Sequence, residues 1–223
     1  MSRPSERPPT VVDVCITSDG HQVRGELRVP EHARGAVAFA HGSGSGRYSP
    51  RNRFVAQELR RLSLATLLID LLEEDEAKHQ DKVFDVGLLA SRLLAAARWL
   101  RAQALTSALP LGYFGASTGA AAALWAAAET PQLVAAVVSR GGRPDLAAGA
   151  LARVKAPTLL IVGEKDEQVL DWNRDALERL VGVKELAVIP GATHLFAEAG
   201  ALEEVARHAG RWFTRYLGGG NRE

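Results

Sequence analysis

A single cysteine in 223 residues, Cys15, rules out an intrachain disulfide and any zinc site built from cysteines. Charge of one sign is also lacking. The 27 Lys and Arg stand against 26 Asp and Glu, a formal net charge of +1. That balance gives neither nucleic acid nor a membrane surface an electrostatic reason to be the main partner. No apolar run reaches the length needed to span a bilayer. The opening residues, MSRPSERPPT, are polar and proline-rich and carry no apolar signal core. A cytoplasmic address is the resulting expectation. What remains, 47% hydrophobic and 24% charged residues, is the composition of an ordinary globular chain long enough for a sizeable core.

Residues 1 to 10 read as a disordered arm, 11–217 as one domain without a linker or repeat, and 218–223 as a flexible tail. Val11 to Thr17 and Val23 to Val29 are β-branched runs about a Ser18-Asp19-Gly20 turn signal, so a hairpin opens the domain. Buried strands are expected at Ala36 to Ala40, Ala65 to Asp70, around Tyr113 and Phe114, at Leu133 to Ser139, at Thr158 to Val162 and at Lys184 to Ile189. Helical spacing falls at Asn52 to Leu62, Val83 to Gln103, Asp171 to Leu180 and Leu202 to Leu217, and the alanines after Thr118 add a further helix. Glu73 to Asp81 reads as a solvated charged loop, and Arg140 to Ala156 as a turn with at most one short helix. Strands alternating with helices imply a mostly parallel α/β sheet covered on both faces, with reactive groups on loops at the carboxyl ends of its strands.

The chain is organised around Leu111 to Glu129, where a short apolar strand meets Gly115-Ala116-Ser117-Thr118-Gly119 and a helix follows at once. Strand, Gly-x-Ser-x-Gly, helix is the context of a nucleophile elbow. It lifts a serine hydroxyl above the sheet edge, beside a helix N-terminus that favours negative charge. The flanking glycines are expected to avoid Cβ clashes across the turn.

Ser117 needs a base, and the base needs an acid to orient it. With such an elbow, acid and base follow the serine along the chain. Asp166 follows the next-to-last strand and His194 the last. Glu164 and Asp171 compete for the acid role, with Glu164 nearer the strand end. His41 is the one serious rival to His194, but it precedes the serine and opens a glycine run, His41-Gly42-Ser43-Gly44-Ser45-Gly46. That run suits an oxyanion hole, with backbone N–H groups of Thr118 and Ser43 as donors. As a phosphate cradle it fails: Arg47 stands where a last glycine would be needed, and no Lys-Ser or Lys-Thr follows. Arg140 and His41 are candidate substrate contacts. Arg47, Arg51 and Arg53 flank the oxyanion loop, and an anionic substrate group held by Arg140 competes with simple pairing of these arginines to Asp70, Glu73, Glu74 or Asp145.

The segments FAHGSGSGRYSPRNRFVA, LLIDLL, GYFGASTGAAAAL, VVSRGGRPDL, APTLLIVGEKD and PGATHLF resemble the dienelactone-hydrolase-related branch of the α/β-hydrolase superfamily, over nearly all of residues 11 to 217. The resemblance implies an α/β-hydrolase fold whose eight-stranded sheet has an antiparallel second strand, and a Ser117-Asp166-His194 triad; the stretch Arg140 to Ala156, where many relatives insert a lid, is short, so no lid domain is expected. It departs from true dienelactone hydrolases, which use a cysteine nucleophile, so acyl hydrolysis is carried over and the lactone substrate is not. The expectation is a cytoplasmic serine hydrolase, monomer or homodimer, that cleaves a small ester or thioester without a metal or organic cofactor. The alternatives are an acyltransferase on the same triad and a non-catalytic binding scaffold.

Overall fold

The computed structural model describes residues 8–218. Eight strands form one sheet: β1 (Thr10–Ser18), β2 (His21–Val29), β3 (Gly35–Ala40), β4 (Leu64–Ile69), β5 (Leu111–Ala116), β6 (Ala136–Arg140), β7 (Thr158–Gly163) and β8 (Lys184–Ile189). Their spatial order is β1-β2-β4-β3-β5-β6-β7-β8. β2 runs antiparallel to both its neighbours, and β3 to β8 are parallel. The five interior parallel strands β3 to β7 are buried at every position, which is why they read as unbroken apolar runs. The edge strand β8 instead exposes Lys184 and Glu185, charges that discourage edge-to-edge pairing. At the opening hairpin, Asp19 (φ 50°) and Gly20 (φ 81°) both adopt positive φ, the conformation a two-residue hairpin turn requires.

Helices cover both faces. On one face lie α1 (Pro50–Arg61) and α6 (Ala201–Leu217), whose Val55, Leu59, Val205 and Phe213 pack on Val37, Phe39, Phe114 and Val138. The short α2 (Gln80–Val83) leads into α3 (Val86–Ala102), which shares the opposite face with α4 (Thr118–Glu129) and α5 (Glu167–Arg179). The two long helices nearest the chain start are capped at their N-termini by side chains. The Ser49 hydroxyl accepts from Asn52 N–H ahead of Pro50, and Asp85 accepts from Leu88 N–H. α4 is buried almost throughout, and its alanines are what let a helix sit so close to the sheet. The central position of α4 fixes where β5 ends, and hence where Ser117 stands. No helix among the described residues is long and apolar enough to cross a membrane.

Several boundaries differ from the sequence reading. Thr10, assigned to the arm, already pairs with Val29 in β1; the rest of the arm through residue 7, and the tail from residue 219, lie outside the described residues. α5 starts four residues earlier than the apolar period suggested, and Val169 and Leu170 of that added turn are buried. β6 starts later, at Ala136. The segment from Arg140 to Ala156 holds two 3₁₀ turns, Pro144–Ala147 and Leu151–Arg153. The larger departure is Glu73 to Asp81. It is not simply solvated: Glu76 is buried and pairs with Arg92 of α3, itself only 1% exposed.

Candidate active site

The end of β5 turns sharply into α4 at Ser117, whose φ of 51° and ψ of −121° lie in the strained left-handed half of the map. Two glycines make the turn possible, for different reasons. A Cβ at Gly115 would stand 2.4 Å from Ala120 Cα, a clash across the turn as expected. A Cβ at Gly119 would stand 2.2 Å from Ala40 O and 2.4 Å from His41 O. That constraint comes from the end of β3, not from the turn. Ser117 occupies the N-cap position of α4, yet its hydroxyl caps nothing. The helix leaves this oxygen uncommitted at the positive end of its dipole.

Asp166 and His194 come from loops after β7 and β8, 28 residues apart, and meet at 2.6 Å between Oδ2 and Nδ1. Asp166 is the N-cap of α5, but its carboxylate does not cap the helix. It is committed to the imidazole instead. Its rivals are engaged elsewhere: Glu164 accepts from Gly191 N–H at 2.7 Å, and Asp171 pairs with Arg174 at 3.0 Å on the surface. The Asp166 side chain is 15% exposed and that of His194 38%. So the carboxylate is sheltered while the ring stays within reach of a bound molecule. One stretch links this pair to the serine. Arg140 O accepts from Ser117 N–H at 3.2 Å, and a methyl on the next residue, Gly141, would lie 3.5 Å from His194 Nδ1 and Cε1.

The glycine run after β3 lies against the elbow: a Cβ on Gly42 would be 3.0 Å from Ser117 Cβ. Ser43 N–H, expected as a free donor, instead donates to the Thr118 hydroxyl at 3.0 Å. Thr118 must turn its side chain away before Ser43 N–H can serve anything else. Thr118 N–H belongs to the first turn of α4, where N–H groups have no partner within the helix. The hydroxyl–amide contact could not be anticipated from sequence, since the two residues are 75 positions apart.

His41 lines the cavity described below, but both of its ring nitrogens are already engaged. Its Nδ1–H donates to Gly42 O at 2.9 Å and its Nε2 accepts from Leu71 N–H at 2.9 Å. Burial lowers its pKa, holding the ring neutral as a brace between the β3 and β4 loops. Arg140 is 7% exposed and lies 5.7 Å from the centre of the Phe196 ring. Burial first, and the charge of Arg51 second, push its pKa down to about 10.

Beside Ser43 and Thr118 opens a cavity of ≈ 290 Å³, walled by Leu72, Ala77, Val83 and Leu89. These apolar residues were not singled out in the sequence, because helical or strand periodicity marks them only as core. A larger groove, ≈ 710 Å³, runs between α1 and α6 past Phe54, Leu62 and Gly210 and includes none of the residues above. Its size reflects two helices meeting at the surface, whereas the strained and polar groups gather at the elbow. Among the described residues, His21, Glu73 and Glu76 are close enough together to hold a metal ion. Glu76, however, already pairs with Arg92 and Lys82, and these cations oppose a metal.

Comparison with known proteins places this arrangement in context. The family model described as "Dienelactone hydrolase family" matches residues 70–217. A dienelactone hydrolase from Anabaena variabilis is 54% identical, with a TM-score of 0.91 over 95% of this chain and 100% of that one. A Pyrococcus furiosus esterase superposes with a TM-score of 0.78 over 94% of each chain at 19% identity, a likeness of fold alone. A Mycobacterium tuberculosis protein provisionally named a phosphoribosyl transferase is 56% identical over 207 residues, which are 93% of this chain and 47% of that protein. The chain thus spans about half the length of the curated relatives it matches.

Proposed function

Since this chain belongs to the dienelactone hydrolase family, we propose that it is a serine hydrolase that cleaves a small carboxylic ester or thioester through an acyl-enzyme on Ser117. The observation that carries the reading is the Asp166–His194 contact at 2.6 Å, set beside a serine hydroxyl that its own helix leaves uncommitted. Ser117 Oγ attacks the substrate carbonyl carbon while His194 Nε2 takes its proton. Asp166 holds Nδ1–H, which fixes the tautomer and stabilises the imidazolium. Negative charge gathers on the carbonyl oxygen, where Thr118 N–H donates to it, joined by Ser43 N–H once the Thr118 side chain has turned away. Collapse breaks the ester bond, and His194 returns the proton to the leaving alkoxide or thiolate. Water then attacks the acyl-serine by the same route, its proton passing through His194 and on to Ser117 Oγ as the acid departs.

The cavity of ≈ 290 Å³ supports a short acyl or leaving group, since that volume lies at the lower end of small-molecule sites, which begin at roughly 300 Å³. The name phosphoribosyl transferase describes a protein of which this chain spans 47%, so that activity is not carried over to this chain. Treatment with a fluorophosphonate probe tests the reading. Wild type should label covalently, and Ser117→Ala should not label and should lose at least about 10³-fold in ester turnover. Wild-type protein that neither labels nor turns over any short ester would refute it. Products formed with and without an added alcohol separate hydrolysis from acyl transfer.

A further inference from the structure

Five arginines near the elbow were candidates for simple ion pairing, and the structure divides them. Arg47 pairs with Asp70, and Arg53 lies 3.6 Å from Glu26. Arg143, three residues past the end of β6, pairs with Asp145 at 2.8 Å and stacks over Trp172. Arg140 and Arg51 differ. Neither has a carboxylate partner among the described residues, and the Nε of each is sealed from solvent without a hydrogen bond. A guanidinium is charged at any working pH, and a buried, unpaired one is rare because its hydration has been lost with nothing in return. Arg140 fits that description at 7% exposure, whereas Arg51 is half-buried with only its Nε sealed. Arg140 is bracketed by the reacting groups: its carbonyl accepts Ser117 N–H, and its guanidinium lies over Phe196, two residues past His194. Arg51 sits in the first turn of α1, a helix of 12 residues with no acidic side chain in that turn. It is near enough for its charge to act on Arg140.

We infer that Arg140 and Arg51 together form a subsite beside Ser117 for a dianionic phosphate group on the substrate. The inference rests on the hydrolase reading for the word substrate, but the anion subsite itself rests on the two arginines alone. Charge selects the ligand class. Two uncompensated guanidiniums call for about two negative charges, and a phosphate monoester carries about −1.5 to −2 at neutral pH. A carboxylate supplies one and leaves the repulsion between the arginines half unanswered. Phosphate also offers three acceptor oxygens, enough for both planar forks, and the amide dipoles at the start of α1 favour it further. The substrate class that follows is a small carboxylic ester whose acyl or alcohol part also bears a phosphate monoester. Ser117 acts on the carboxylic ester, and the phosphate is held and left intact.

Thermal unfolding of the full chain, with inorganic phosphate as the probe, reads this without needing the natural substrate. Phosphate at roughly 20 mM should raise the wild-type Tm by at least about 2 °C over sodium chloride of equal ionic strength. Acetate should not. Arg140→Met and Arg51→Met should each lose the shift. Neither variant is expected to misfold, since each removes an uncompensated charge. In turnover, either variant should lose at least about tenfold more kcat/KM on a phosphate-bearing ester than on a matched neutral ester. No phosphate-specific shift in wild type, or a shift that survives both substitutions, overturns the proposal. Acetate as effective as phosphate replaces the dianion with a carboxylate and also overturns it. A phosphate shift lost in the variants, in protein that no fluorophosphonate labels, sinks the hydrolase reading and leaves the subsite standing. Labelling without the shift does the reverse.

Discussion

Replacing Glu76 by Leu should be far more damaging than its place in a charged surface segment suggests. Glu76 is 4% exposed and Arg92 1% exposed. Arg92 reaches Glu76 Oε1 with Nη2 at 3.3 Å and the carbonyl of Ser18 with Nη1 at 2.8 Å. Glu76 also accepts from Lys82 Nζ at 3.2 Å and from Glu73 N–H at 3.1 Å. One carboxylate thus ties the β4–α3 connection to α3, and through Arg92 to the opening hairpin. Removing one partner of a buried pair strands the other charge, which costs about 3–5 kcal/mol. For a domain of this size each kcal/mol moves Tm by about 2–4 °C, so Glu76→Leu should lower Tm by about 6–20 °C. The double change Glu76→Leu with Arg92→Met removes both charges and should return to within about 1 kcal/mol of wild type. Leu72, Ala77 and Val83 of the same connection wall the cavity beside Ser43, so the single variant should also lose activity as the temperature rises. Burial alone would raise the Glu76 pKa, but the Glu73 N–H, Lys82 and Arg92 outweigh it and the net direction is down. Its stabilisation is therefore complete above the ordinary Glu pKa of about 4.3 and is lost as pH falls through the lower native value. Scanning calorimetry of the two variants, with an acid titration of wild type, measures all of this. A single variant costing under about 1 kcal/mol, or a double variant as unstable as the single, would refute the reasoning.

Gly119→Ala should destabilise the protein by at least about 1–3 kcal/mol and slow probe labelling of Ser117, because the new methyl meets two backbone carbonyls that cannot rotate away; wild-type stability in chemical denaturation would count against the close packing of β3 on the elbow. His41→Leu should cost about 1–3 kcal/mol by orphaning Leu71 N–H. Wild type should also lose stability as pH falls from about 6.5 toward the lowered native pKa of His41, because the unfolded chain takes up the proton first; the variant should lack that slope. Thr118→Val removes the acceptor that occupies Ser43 N–H, at about 0.5–1.5 kcal/mol, so labelling should accelerate about two- to tenfold; a tenfold slowing would mean the hydroxyl itself assists the reaction. In an ester panel, acetyl and butyryl esters should be preferred over long-chain ones, and the opposite order would contradict a site bounded by the ≈ 290 Å³ cavity.

Local signals carried the elbow and the strands. Gly115-Ala116-Ser117-Thr118-Gly119 between a strand and an alanine helix is a short-range pattern, and the buried strands announce themselves as continuous apolar runs. The order of serine, acid and base along the chain was legible for the same reason: each follows a strand, and parallel strands deliver their loops to one edge. Charge pairing was not legible. Which of Arg47, Arg51, Arg53, Arg140 and Arg143 would find a carboxylate depends on contacts between residues far apart in sequence, and composition gave all five the same prospects. The same holds for Glu76, which in sequence is one acid among several and in space is the partner of a buried arginine.

By itself the sequence determined the α/β layering, the strained serine and the candidates for its relay, because periodicity and turn sterics act over a few residues. Only the tertiary structure decided that Asp166, not Glu164 or Asp171, meets His194, that His41 is spent on Leu71 and Gly42, and that Thr118 holds Ser43 N–H. Those outcomes depend on direction and distance between loops brought together by the sheet, to which no local pattern of side chains is sensitive.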